Sequence, residues 1–269
     1  MTPSGIVFVK LGGAAITDKT KPRTSLPERI NDLAGQISRA WKNHPEMRLV
    51  IGHGSGSFGH FSAQKYNTKN GVRSSCDWLG FAEVWNDARQ LNELVLHALL
   101  AAGLPVIAFP PSAWIVTENR VPVTFMVEPI RSALGNRLIP VVNGDVIFDR
   151  TIGGTILSTE DVFSLLANEL HPDRIILASR EPGVWKDYPE NTQLAASISL
   201  SEFQSSSISA GGSAGMDVTG GMAKKIGLMM DILRRNPAIE ITITGGMDDH
   251  SLLNALEGRP TGTRLQKDG

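Results

Sequence analysis

The chain has 269 residues, of which 41% are hydrophobic and 20% charged, the ordinary balance of a soluble globular protein with a substantial core. Formal net charge is −1, which excludes a global basic field for nucleic acid or an anionic membrane, so affinity for phosphate must come from locally placed lysines. The single cysteine, Cys76, excludes an intramolecular disulfide and fits a reducing compartment.

No run of about 18 apolar residues offers a membrane span, and the first residues have no basic leader pattern, so a cytoplasmic protein is expected. Ile6-Val7-Phe8-Val9 reads as a buried strand ending in Lys10-Leu11-Gly12-Gly13. Ser25-Leu26-Pro27-Glu28 reads as a capping box opening a helix to about Trp41. Leu49 to Ile51 is a second strand, and it delivers Gly52-His53-Gly54-Ser55-Gly56-Ser57-Phe58-Gly59-His60.

From Asp77 to Ala102, Phe81, Trp85, Ala88, Leu91, Val95 and Leu99 recur near helical spacing, and Gly103 closes the helix. Pro105 to Phe109 and Leu138 to Val142 are strands, the second running into Asn143-Gly144-Asp145. Val146-Ile147-Phe148 and Thr155-Ile156-Leu157 form a hairpin with its tip at Asp149 to Gly154. Ser158 or Thr159 caps the next helix, whose first turn carries Glu160 and Asp161 to suit the dipole. Arg174 to Ala178 is a strand, Ser205 to Gly215 a loop, Thr219 to Leu233 a helix, and Ile239 to Thr244 a strand reaching Gly245-Gly246. Strands alternate with helices throughout, which predicts an α/β fold: a three-layer αβα sandwich around a central, mostly parallel sheet, with a lobe boundary near Arg174.

Ligands of open α/β sheets collect at the carboxyl ends of the strands. Here those ends carry Gly12-Gly13, the Gly52–Gly59 segment, Gly144-Asp145 and Gly245-Gly246. Bare backbone N–H groups in such loops cradle oxyanions. Lys10 and Lys19 stand near the first loop, and Lys224 and Lys225 follow Gly220-Gly221. The combination points to phosphate chemistry. No His, Cys or carboxylate cluster has metal-ligand spacing, so no protein metal cage is expected.

Lys10-Leu11-Gly12-Gly13, the His53–His60 segment, Gly144-Asp145 and Asp217-Val218-Thr219-Gly220-Gly221-Met222 resemble the ordered motifs of the amino acid kinase superfamily. Ile16-Thr17-Asp18-Lys19 and Gly56-Ser57-Phe58-Gly59-His60 are most similar to isopentenyl phosphate kinases, with the fosfomycin-resistance kinases as relatives. The resemblance implies one domain over residues 1–269, with an acceptor-binding lobe at 1–173 and a nucleotide-binding lobe at 174–269. It also implies ATP as donor, a small phosphate as acceptor, and a homodimer. Mg²⁺ is expected as the ATP counterion, held by phosphates and water.

Carried over residue by residue, the resemblance makes Lys10 the group between donor and acceptor phosphates, and sets Lys19 on the donor's terminal phosphates with Lys21 as an alternative. His60 donates to the acceptor phosphate, or simply caps a helix; His53 more readily braces the loop. Gly54, Ser55, Gly56, Gly59 and Gly144 approach the acceptor, and Asp145 orients the catalytic lysines. Gly12, Gly13, Ser158, Asp161, Gly183, Gly221 and Lys225 fall along the nucleotide. Trp78, Phe81, Val84 and Trp85, with Ile156 opposite, either wall the acceptor's tail or belong to the core.

Three positions depart from the family pattern. Ser55 stands in a Gly-Gly-Gly run, Ala14 replaces a serine, and Ser179-Arg180-Glu181-Pro182-Gly183 replaces Thr-Asp-Val-Asp-Gly beside the nucleotide.

Overall fold

The apolar runs pair as a parallel sheet, as their spacing predicts. The computed structural model describes residues 5–187, 189–208 and 220–268. In chain order the elements are β1 (Ile6–Leu11), α1 (Gly13–Ile16), α2 (Pro27–Asn43), β2 (Arg48–His53), α3 (Gly56–Lys65), α4 (Ser75–Ala101), β3 (Val106–Ala108), β4 (Ile115–Glu118) and β5 (Val121–Phe125). Then come α5 (Glu128–Gly135), β6 (Ile139–Asn143), β7 (Asp145–Asp149), β8 (Gly153–Leu157), α6 (Thr159–Leu170) and β9 (Arg174–Ser179). The chain continues with β10 (Ser197–Ser199), α7 (Leu200–Ile208), α8 (Gly220–Arg235), β11 (Glu240–Gly245), α9 (Ser251–Leu256) and β12 (Thr263–Gln266).

Eight strands form the main sheet in the order β10-β12-β11-β9-β1-β2-β6-β3, parallel except where β12 meets β11. A smaller sheet, β5-β4-β7-β8, is entered from the end of β6 through Gly144, which leads into β7. Successive side chains of a strand face opposite sides. In β1, Ile6 and Phe8 therefore enter a core shared with Phe163 and Leu166 of α6 and Met229 of α8. Val7, Val9 and Leu11 enter the other core, with Leu33 and Ile37 of α2, Leu91 of α4 and Leu252 of α9. Helices cover both faces, which is the three-layer arrangement. The same alternation puts Lys10 on the face of β1 that looks at α6.

Several local expectations change. The helix expected from Ser25 starts at Pro27 with Leu26 as its N-cap and no side-chain cap, so the Ser25–Glu28 box is not formed. Ser74 caps α4 instead, in a reciprocal box with Asp77, and Ser158 does the same for α6 with Asp161. The loop expected from Ser205 is helical as far as Ile208, and its remainder lies outside the described residues. The strands β4 and β5, absent from the sequence reading, form a hairpin whose tip residues Asn119 and Arg120 adopt φ of 53° and 70°.

Candidate active site

Lys10 reaches the site from β1, a strand buried along its whole length, and is itself only 6% exposed. A lone ammonium at that depth is costly, so it must be paired. Its partner is Glu160, the second residue of α6, which forms a buried ion pair with it. Burial alone would push the Glu160 carboxyl up, but the charge and hydrogen bond of Lys10 hold it below its ordinary value. Thr159, one residue earlier, donates its Oγ1 to the His53 carbonyl at 2.7 Å and so ties α6 to the end of β2.

His53 is fully buried, with Nε2 2.9 Å from the Asn92 side-chain oxygen and Nδ1 3.2 Å from the Gly54 carbonyl. Burial pushes its pKa down, so it stays neutral and braces the glycine loop. That loop turns directly into α3. Gly56 has φ of +50°, and a Cβ there would lie 2.3 Å from Thr17 Oγ1. A Cβ on Gly13 would lie 2.8 Å from the Gly56 backbone, so the two glycine loops touch without side chains between them. Ser57 N donates to Thr17 Oγ1 at 3.0 Å, locking the first turn of α3 against the loop that carries Lys19. The positive end of the α3 dipole thereby opens on the cleft.

The loop between Thr17 and Ser25 is pinned at Thr17, by the bond from Ser57 N, and again at Arg23. Arg23 N donates to the Ser57 carbonyl at 3.2 Å and the Arg23 guanidinium binds Asp87 at 2.8 Å. Between these anchors both lysines are exposed, and it is Lys19, not Lys21, that lines the cleft.

The cleft is about 730 Å³ and runs along the carboxyl ends of β1, β2 and β9. Lys10, Lys19, Lys225, Gly12, Gly13 and Glu160 line it, together with Gly54, Gly56, Ser179, Arg180 and Glu181. A second cavity of about 490 Å³ adjoins it. The two share one wall, made of Ser55, His60, Gly144, Ile156 and Ser158. His60 is exposed on that wall, on the first turns of α3. The second cavity has an apolar side of Ala63, Val84, Ala88 and Ile156, and Gly59 borders it.

Some expected placements do not hold. Asp145 lines the second cavity and makes no ion pair among the described residues. Its carboxylate accepts from Ser112 Oγ at 2.8 Å and from Val146 N at 2.8 Å, and burial pushes its pKa up to about 6. The carboxylate that holds Lys10 is Glu160, because α6 and not β7 packs on that face of β1. Glu160 was visible in the sequence only as a dipole-complementing acid; its partner depends on a strand pairing that spacing does not reveal. Asp161 borders the second cavity rather than the larger cleft, with its Oδ2 accepting from both the Ser158 N–H and hydroxyl. Gly183 lines neither cavity and packs on Thr263, where a Cβ would meet Oγ1 at 2.7 Å.

The aromatic wall is also different. Phe81 is buried in a small core with Val72 and Val146, Trp78 stacks on Phe148 at 6.0 Å, and Trp85 is 39% exposed under Arg89. None of the three lines either cavity. The residues Asp217, Val218 and Thr219 lie outside the described residues, as do the surroundings of Gly221.

The amino acid kinase family matches over residues 5–245. An isopentenyl phosphate kinase of Methanothermobacter thermautotrophicus is 30% identical over 97% of this chain and 98% of its own length. One from Methanocaldococcus jannaschii is 29% identical, with the same coverage of both chains. A solved isopentenyl phosphate kinase superposes with a TM-score of 0.81 at 28% identity, covering 97% of this chain and 100% of the other. With matching motifs, fold and relatives along nearly its whole length, the chain belongs to the amino acid kinase family, among relatives named isopentenyl phosphate kinase.

Proposed function

We propose that this protein transfers the γ-phosphoryl group of ATP to isopentenyl phosphate, giving isopentenyl diphosphate and ADP. The observation that carries the reading is the shared wall. A cleft lined by Lys10, Lys19 and Lys225 meets, across His60 and the glycine loop, a cavity with a small apolar side. A triphosphate fits the lysine side, and a phosphate with a short hydrocarbon tail fits the other.

In the reaction an oxygen of the acceptor phosphate forms a bond to the γ-phosphorus while the bond to the β–γ bridging oxygen breaks. ADP leaves with that oxygen. The attacking oxygen is already ionised near neutral pH, so no general base is required. What the protein supplies is positioning and charge stabilisation. Lys10, held by Glu160, sits where charge builds on the transferring group. Lys19 and Lys225 neutralise the donor phosphates. His60 and the N-terminal N–H groups of α3 hold the acceptor phosphate.

Among the described residues no group of three or more His, Cys, Asp or Glu side chains is placed to hold a metal ion. A magnesium ion that enters with ATP would be held mainly by phosphates and water, and would shield their charge. No helix among the described residues is long and apolar enough to cross a membrane. A cytoplasmic homodimer completes the proposal, and light scattering tests it by a mass twice that of the chain.

The deciding assay couples ADP release to isopentenyl phosphate, dimethylallyl phosphate, geranyl phosphate, fosfomycin and simple carboxylates. Isopentenyl phosphate is expected to give the highest kcat/KM. Turnover of a carboxylate alone would overturn the phosphate-acceptor reading, and fosfomycin as the best substrate would overturn the isoprenoid one.

A further inference from the structure

The acceptor cavity carries more positive charge than a hydrocarbon tail needs. Lys69 and Lys224 both line it. They come from separate mounts. Lys69 sits in the 3-10 turn Thr68–Asn70, whose backbone is fixed to β8 by Thr155 Oγ1 donating to the Lys69 carbonyl at 3.0 Å. Lys224 projects from α8, whose Met229 and Met230 are buried in the core beneath it. Among the described residues neither lysine has an ion pair.

Two ammonium groups directed into one cavity repel each other. The charge of Lys224, followed by burial, pulls the pKa of Lys69 below the usual lysine value. Asp161 lies near enough to oppose that fall in part, with its Oδ2 accepting from the cap of α6. Arg120 adds a further positive charge nearby and donates to Asn70 at 3.3 Å. Like charges held together on rigid elements in a cleft mark a place where an anion belongs.

We propose that Lys69 and Lys224 form a second oxyanion subsite, which takes a carboxylate or phosphate in addition to the phosphate that receives the transferred group. The proposal rests on the phosphoryl-transfer reading above and extends its substrate class to small acceptors with a second negative charge. That charge is carried either by the far end of the acceptor or by a free ion bound beside it. A five-carbon hydrocarbon tail satisfies the apolar side and leaves the two lysines unanswered.

The test compares n-butyl phosphate with the phosphate monoester of γ-hydroxybutyrate, which differs by a terminal carboxylate. The wild type is expected to show kcat/KM about tenfold higher for the carboxylate-bearing acceptor, as one charge-assisted contact allows. In Lys69→Gln and Lys224→Gln that ratio is expected to fall towards one, with the KM for ATP unchanged and with Lys69→Arg retaining the preference. A free ion gives a different pattern: no preference between the acceptors, but millimolar inorganic phosphate shifts the KM for butyl phosphate in wild type and in neither glutamine variant. No preference and no phosphate effect in any protein overturns the subsite. If no phosphate acceptor is turned over, the kinase reading fails separately. Calorimetric titration with inorganic phosphate then decides the subsite: heat lost in both glutamine variants supports it, and equal heat in all three proteins refutes it.

Discussion

Lys10 works because Glu160 holds it. The pair is buried between β1 and α6, where the ammonium must be charged to act and anchored to be aimed. Removing one member of a buried pair strands the other, at a cost of about 3–5 kcal/mol. Lys10→Ala is therefore expected to abolish measurable transfer and also to lower the unfolding midpoint. Glu160→Gln leaves the charge without its anchor, and kcat is expected to fall about 100-fold, the scale of losing one preorganised electrostatic contact. Combining Lys10→Ala with Glu160→Gln is expected to recover stability but no activity. A double variant no more stable than Lys10→Ala alone would refute the pairing. His60→Ala, on the wall between the cavities, is expected to cut turnover far more than it weakens ATP binding. Near-normal turnover in that variant would remove His60 from the reaction.

At the scale of elements, α4 shows how far a periodic pattern can be read. Apolar spacing located the helix, but not which of its residues meet a ligand. Spacing offers Trp78, Phe81, Val84 and Trp85 alike, as pocket wall or as core. In the structure large rings fill space: Phe81 and Phe148 pack at 5.2 Å between α4 and the small sheet. A cavity remains where side chains are small, at Ala63, Val84 and Ala88. Val84 and Trp85 are neighbours in sequence, yet their exposures of 3% and 39% put them on different faces. Val84→Phe is accordingly expected to raise the KM for isopentenyl phosphate about tenfold, a few carbon atoms' worth of lost room, without changing the KM for ATP. Trp85→Ala is expected to change neither KM by more than about twofold, since surface changes away from a site are small. Equal effects of the two substitutions would place the acceptor elsewhere.

Across the whole molecule, buried parallel strands were legible because each is a continuous apolar run between helical segments. The hairpin of β4 and β5 was not: Val121 and Val123 are 62% and 41% exposed, so no burial pattern marks them. The glycine loops and Lys10 were legible as chemistry, but their partners depend on which elements stack. Asp145 shows the consequence. Its motif position suggested a partner for the lysines, whereas its surroundings make it a buried acid held by Ser112 and Val146. With its pKa raised from 3.8 to about 6, the folded state holds a proton that the unfolded chain has released. Stability from this group is therefore greatest below about pH 4, falls as pH rises through about 6, and is then flat, a change of roughly 3 kcal/mol for a two-unit shift. Asparagine does not titrate. The unfolding free energy of wild type minus that of Asp145→Asn, from urea melts at stepped pH, is expected to decline across that window and level off above it. A difference that rose with pH instead would mean that the hydrogen bonds from Ser112 and Val146 outweigh burial and hold the carboxylate ionised.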